Sequence, residues 1–199
     1  MGQELVEHLS NRKKLGPGFA FKERSKIVNT GPYILKKDLN SLPFIDRKLT
    51  KWKLYAFKNG NYKYRPGTYT MFGRDCWWRK KGGCSFCSWT GIYKEFHVIT
   101  PERAVQEVEN LLHLGVKEIF DDTGTFPTGR WLKAFCNKII SKGINKKITF
   151  GCNMRADALD LEEYKKIKKA NFRLVLFGLE SANNKTLKRI NKGSKVEGI

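Results

Sequence analysis

Cys76, Cys84 and Cys87 lie within the sixteen-residue stretch RDCWWRKKGGCSFCSW, residues 74–89, at C-x7-C-x2-C spacing. Thiolates are soft ligands suited to iron and zinc. The Cys84/Cys87 pair can chelate one metal or one cluster edge from a tight turn, and Gly82 and Gly83 let the backbone wrap closely. Three thiolates on one loop repel one another. A bound metal relieves that repulsion, and Arg74, Arg79, Lys80 and Lys81 offset the remainder. A structural zinc site takes four ligands. His97, ten residues after Cys87, is the nearest candidate for the fourth, although EFHVIT reads as extended structure ahead of a helix. Three cysteines without a fourth ligand suit a [4Fe–4S] cluster with one iron open to an exogenous ligand. On the residues alone, the cluster stands as the favoured reading. A zinc-stabilised, basic nucleic-acid-binding protein is the alternative.

The chain around this loop has 199 residues, 40% of them hydrophobic, which suffices for one soluble domain with a real core. No apolar run is long enough to cross a bilayer. The opening MGQELVEHLSNRKK carries acids and has no apolar stretch, so it does not read as a signal peptide, and a cytoplasmic location is expected. Five cysteines in such a chain favour metal or redox chemistry over a disulfide framework. The net charge of +20 comes from 39 basic and 19 acidic side chains. These are scattered and lack the basic–aromatic spacing of a nucleic-acid module, so a solvated surface is expected and a nucleic-acid partner is not.

The rhythm of the sequence changes near residue 67. Residues 1–66 hold turn signals (GPGF, NTGP, SLPF, KNGN) and weak periodicity, and read as a connecting or wrapping segment. Within them IVNTGPYIL reads as a short hairpin and KLTKWKLYAF as a strand or short helix. From residue 67, strand and helix alternate four times. GTYTMFG is the first strand and runs into the cysteine loop. In TPERAVQEVENLLHLG, Thr100 can cap a helix, Pro101 suits its first turn, and Val105, Val108, Leu111 and Leu112 form one apolar face before Gly115. The strand VKEIFDD is followed by the helix of TGRWLKAFCNKIISKG. The strand KITFGCN is followed by DLEEYKKIKKAN, where Asp160 and Glu163 stand at capping-box spacing. The apolar strand FRLVLFGLES leads into ANNKTLKRINKG.

Such alternation implies right-handed crossovers and a parallel sheet whose strands are buried on both faces. Four units do not close an eight-unit barrel, which leaves an open doubly wound sheet or an incomplete barrel. In either, chemistry collects at the C-terminal ends of the strands. Those ends carry Arg74 and Asp75, then Asp121, Asp122 and Thr123, then Asn153 and Arg155, then Glu180 and Ser181. Cys136 and Cys152 read as core residues, and the Lys165–Lys169 run as a solvated helix face.

Residues 25–199 resemble the radical S-adenosylmethionine (SAM) superfamily, in particular its cobalamin-dependent branch. The resemblance rests on the cysteine loop and on LPFIDRKLTKWKLYAFKNGNYKYRPGTYTMFGRDCWWR, VKEIFDDTGTFP, CNMR, FGLESAN and LKRINKG. The family's usual spacing is C-x3-C-x2-C with an aromatic residue before the last cysteine. Here Phe86 supplies the aromatic, and the first interval is four residues longer. The resemblance implies an α/β fold, a partial (βα)6 TIM-like barrel truncated after about four units with an irregular N-terminal extension, its core spanning residues 67–199. It implies that Cys76, Cys84 and Cys87 hold a [4Fe–4S] cluster and that Phe86 lies by the adenine of SAM. It places Asp121, Asp122 and Thr123 near the methionine amino and carboxylate groups, and Asn153, Arg155, Glu180 and Ser181 on the SAM or substrate side. SAM would be cleaved reductively to a 5′-deoxyadenosyl radical, with electrons from a reductant such as flavodoxin or ferredoxin, acting on a substrate the sequence does not name. Family members commonly carry an N-terminal cobalamin domain with a D-x-H-x-x-G motif. That motif does not occur here, the histidines being His8, His97 and His113. Cobalamin is therefore expected only in a longer parent, and this chain reads as a fragment whose fourth strand has an open edge.

Overall fold

The computed structural model describes residues 2–11, 14–33, 37–58 and 60–198. The chain divides into two compact units, residues 1–37 and 38–199. The first holds helix α1 (Gly2–Asn11) and an antiparallel hairpin of β1 (Ala20–Glu23) and β2 (Lys26–Asn29), with Phe21 opposite Val28. Arg24 turns the hairpin at φ 55°. The hairpin expected within residues 27–35 thus lies earlier in the chain: residues 27–29 belong to its second arm, and Ile34 and Leu35 lie outside the described residues.

In the second unit, KLTKWKLYAF resolves as a helical turn at Trp52–Leu54. Trp52 and Ala56 enter the core, and buried Arg47 pairs with Glu107 at 2.7 Å. The remaining elements follow in order: β3 (Gly67–Thr70), β4 (Gly73–Arg74), α2 (Trp89–Ile92), β5 (His97–Val98), α3 (Pro101–His113), β6 (Glu118–Asp121), α4 (Gly129–Ser141), β7 (Thr149–Met154), α5 (Leu161–Lys169), β8 (Phe172–Phe177) and α6 (Asn184–Arg189). Their boundaries follow local chemistry. The Thr100 hydroxyl accepts the Arg103 N–H at 3.2 Å with Pro101 at the first helical position. Asp160 and Glu163 form the reciprocal capping box that their spacing predicts. Gly115 and Gly143 adopt positive φ just past α3 and α4.

The main sheet has the order β3-β6-β7-β8, all parallel, with Thr70 opposite Asp121 and Asp121 opposite Cys152. Strand order follows chain order without reversal, so right-handed crossovers place α3, α4 and α5 on one face. Those helices pack on each other in sequence. A doubly wound sheet needs a reversal to cover both faces. Its absence from this sheet decides between the two architectures left open by the sequence, in favour of part of a barrel. Between helices and sheet lies an aromatic core in which the Phe135 ring sits 5.5 Å from Phe72, 5.3 Å from Trp131 and 5.8 Å from Phe150.

One expectation fails. Strand β6 is buried throughout, whereas β8 leaves Leu176 and Phe177 about two-fifths exposed. Strand β8 is the edge of the sheet, so among the described residues one side of it has no neighbouring strand. Among the described residues no helix is long and apolar enough to cross a membrane.

At the N-terminal end of the sheet, Glu118 is 1% exposed. Its Oε2 accepts the Lys63 and Tyr64 N–H groups, each at 2.8 Å, and its Oε1 accepts Arg173 Nη2 at 2.6 Å. This network ties the loop before β3 to β6 and β8.

Candidate functional site

The C-terminal end of the same sheet opens into a cavity of about 570 Å³. Its wall includes Cys76, Cys84 and Cys87, together with Phe86, Asn153, Arg155 and Glu180. The loop after β4 supplies the cysteines, and no disulfide joins them. Asp75 holds φ 73°, an unusual conformation for an aspartate. It is fixed there by a two-point pair with Arg79, whose Nη2 donates at 3.0 Å to Oδ1. The chain then turns through a 3₁₀ helix, Trp77–Lys81, with Cys76 as its cap: Cys76 Sγ accepts the Trp78 N–H at 3.4 Å and donates to Thr125 Oγ1 at 3.1 Å. Gly82 and Gly83, at φ 89° and 70°, bring the chain back to Cys84. Gly124 permits close approach from β6's loop, since an added Cβ would lie 2.9 Å from the Trp89 ring.

Two buried cations border the thiols. Lys192 donates to Glu180 Oε1 at 3.0 Å. Arg155 is 3% exposed, with its guanidinium 4.3 Å from the Trp78 ring centroid and one nitrogen bound to Asp157 at 3.1 Å. The Nε–H of Arg155 is buried without a partner among the described residues. Burial pushes the Cys84 thiol up, while the charges of Lys192 and Arg155 pull it down. The donor set is therefore three cysteines, half-buried, with positive charge behind them.

The other rim residues are placed differently. Asp121 is buried: its Oδ2 accepts the Phe72 N–H at 2.8 Å and its Oδ1 the Thr123 N–H at 3.1 Å. Burial pushes its carboxyl up to about 6. The Thr123 hydroxyl accepts the Gly73 N–H at 2.9 Å. Both side chains therefore fasten the turn between β3 and β4. Asp122 accepts from Asn153 Nδ2 at 2.9 Å and so reaches the cavity through Asn153. Ser181 shapes the turn after β8, its hydroxyl accepting the Asn183 N–H at 3.1 Å. His97 lies on β5 opposite Arg74, outside the cavity wall, with Nε2 3.4 Å from Glu95 Oε2. Among the described residues no three His, Cys, Asp or Glu side chains are grouped to hold a single metal ion.

Lys192, Gly124, Thr125 and Asn191 escape a reading of the sequence. LKRINKG contains two of them, but a lysine in a lysine-rich chain gives no sign that it folds back into a site.

Residues 71–199 match the profile of the radical SAM superfamily. The chain belongs to this superfamily, whose members are enzymes that bind a [4Fe–4S] cluster and SAM. It is 26% identical over 200 residues to an anaerobic magnesium-protoporphyrin IX monomethyl ester cyclase of Cereibacter sphaeroides, covering 96% of this chain and 31% of that one. It is 28% identical over 189 residues to a putative methylthiotransferase of Methanocaldococcus jannaschii, covering 90% of this chain and 39% of that one. The fold superposes on the radical SAM methyltransferase TsrM of Kitasatospora setae, solved with cobalamin and a [4Fe–4S] cluster bound, with a TM-score of 0.65 at 15% identity over 96% of this chain and 39% of that one. The α/β fold is thus part of the TIM-like radical SAM barrel. The chain spans about a third to two-fifths of the length of these relatives.

Proposed function

We propose that residues 67–199 carry the strand–helix core of a radical SAM enzyme, preceded by residues 1–66, of which residues 38–66 fold with that core, and that Cys76, Cys84 and Cys87 bind a [4Fe–4S] cluster while the rest of the cavity receives SAM. The observation that carries this reading is that three cysteines eight and three residues apart border one cavity at the C-terminal ends of a parallel sheet, backed by two buried cations. The residues fit the group. Thiolate charge needs compensation in a half-buried setting, and Arg155 and Lys192 supply it. The partnerless Arg155 Nε–H is a donor held for a bound anion or sulfur.

When bound, the cluster supplies the electron that splits a carbon–sulfur bond of SAM. The chain's own residues do the positioning. Phe86, about half exposed on the cavity wall, offers its ring to the adenine. Asn153, with its orientation set by Asp122, and Glu180, held by Lys192, take polar groups of SAM or substrate. Asp121 and Thr123 hold the β3–β4 turn that leads into the cysteine loop. Ser181 sets the turn that presents Glu180. Trp78 and Trp89 shield the cavity from water. By likeness to the methyltransferase and cyclase relatives, we assign the parent protein a carbon-centred radical reaction, methylation among them. Cobalamin would be held outside this chain, and a flavodoxin- or ferredoxin-type reductant would supply electrons.

Anaerobic reconstitution with iron and sulfide tests the reading. The chain should turn brown and take up about four irons, as a [4Fe–4S] site implies. With SAM and a strong reductant, it or its parent should release 5′-deoxyadenosine. Stoichiometric zinc that depends on His97 would overturn the proposal.

A further inference from the structure

The long Cys76–Cys84 interval leaves backbone groups that something must satisfy. The end of a short helix exposes carbonyls with no partner inside it. Here the Gly82 N–H takes the Arg79 carbonyl at 2.9 Å and the Gly83 N–H takes that of Trp78 at 3.2 Å. The carbonyls of Lys81 and Gly83, on either side of the glycine turn, are both taken by one side chain from the far end of the fold. Asn191 Nδ2 donates to Lys81 O at 2.9 Å and to Gly83 O at 2.6 Å. The backbone carbonyl of Asn191 accepts the Trp78 indole N–H at 2.8 Å, and that of Ile190 accepts the Ser85 N–H at 3.0 Å. Asn191 adopts φ 51°, a conformation asparagine tolerates better than most side chains. Two residues on, an added Cβ at Gly193 would lie 2.0 Å from the Trp78 ring, so only glycine lets that indole lie there.

We propose that Asn191 is a positioning residue for the cysteine loop: its carboxamide fixes where the chain re-emerges at Cys84 after the long interval that begins at Cys76. A neutral head with two N–H donors is what two carbonyls require. Aspartate in its place would turn oxygens toward them, and alanine or glycine would leave both unmade. The backbone carbonyls of Asn191 and Ile190 hold Trp78 on one side of the glycine turn and Ser85 on the other, so the carboxamide acts within a span, Cys84 included, that is held at both ends. The role concerns cluster assembly and therefore rests on the function proposed above, but the loop geometry it describes belongs to the apoprotein as well.

The test compares the 199-residue chain with Asn191→Ala, Asn191→Asp and Asn191→Gly. Asn145→Ala serves as a control, because Asn145 likewise donates to a backbone carbonyl, that of Lys169 at 3.0 Å, away from the loop. Two readouts are taken: the rate of iron loss to a chelator after anaerobic reconstitution, and the rate of Cys84 alkylation in the apoprotein, resolved by peptide mass. All three Asn191 variants should lose iron about tenfold faster or more, the scale expected when a group supporting a metal ligand is removed. They should also alkylate faster at Cys84, with Asn145→Ala matching the wild type in both. Wild-type rates in all three variants would overturn the proposal. So would wild-type behaviour of Asn191→Gly alone, since that would make backbone conformation the whole role. Should Asn191→Ala not fold, the aspartate and glycine variants decide. If the wild-type chain takes up no iron, the cluster reading fails and alkylation alone judges Asn191: faster at Cys84 supports it, unchanged overturns it.

Discussion

The two ends of the parallel sheet are finished in opposite ways. At the N-terminal end, the buried carboxylate of Glu118 has its donors in place: two backbone N–H groups and the Arg173 guanidinium, which also reaches the Asn61 carbonyl at 2.7 Å. Only Asn145 Oδ1, an acceptor beside β7, is left without a partner there among the described residues. At the C-terminal end the buried donors Arg155 Nε and Trp77 Nε1 have none, and the thiols, cations and a ring surround a cavity. Buried polar groups are costly unless paired. The N-terminal end is closed by its own residues, while the C-terminal end keeps two buried donors unpaired among the described residues, one of them Arg155 on the cavity wall.

The comparison predicts that substitutions at the two ends fail in different ways. The largest effect belongs to the cavity. Cys84→Ala or Cys87→Ala should abolish cluster retention, read as iron per chain, while the apoprotein's urea midpoint moves little, because neither thiol packs in the core. Retention of iron by both variants would remove the cavity from the comparison altogether.

Glu118→Ala should do the reverse. Removing the buried carboxylate leaves two N–H groups unanswered while the partly exposed Arg173 turns to solvent, a loss of about 1–3 kcal/mol for each unpaired donor. Whatever fraction stays folded should still take up iron. Urea unfolding at fixed pH measures the first effect and iron content of the folded fraction the second. Loss of iron in proportion beyond loss of fold would mean that the two ends are coupled.

What the sequence discloses follows the same division. The four strand–helix units, the caps at Thr100 and Asp160 and the cysteine loop are local signals, and each appears where its residues indicate. Glu118 gives no sign of its role, since a lone acid opening a strand looks like solvent-facing polarity. Asp121 and Thr123 look like site residues because they end a strand, yet their side chains turn inward to hold the next turn. Lys192 and Asn191 act across more than a hundred residues of sequence to meet the cysteine loop, and no spacing rule reaches that far.

Asp121 makes the division visible in pH. Its folded carboxyl titrates near 6 against an ordinary 3.8. The folded state therefore holds the proton more tightly, so this contribution to stability is full below about pH 4 and is lost as pH rises through 6. The ceiling is about 3 kcal/mol, at 1.36 kcal/mol per unit. Asp121→Asn should flatten the stability difference between pH 4.5 and pH 7 relative to wild type, whatever it does to absolute stability. An unchanged slope would mean that the Phe72 and Thr123 N–H groups hold the carboxylate ionised across the range.

The smallest effect tests whether the cysteines really fall into two kinds. Cys136 and Cys152 are fully buried in the core. Burial pushes the Cys136 thiol up to about 12 and the Cys152 thiol well above its ordinary value. Only the thiolate ligates iron or reacts readily, so both should be unreactive near neutral pH in the folded chain. Cys136→Ala and Cys152→Ala should leave iron content unchanged and cost about 1 kcal/mol each, the scale of a small deletion in a packed core. The apoprotein should correspondingly show three thiols that alkylate under native conditions and two that do so only on unfolding. Iron loss from Cys152→Ala is the outcome with most to teach. Cys152 sits on β7 opposite Asp121, one residue before Asn153 on the cavity wall, and such a loss would show that the core and the cavity are not separate compartments.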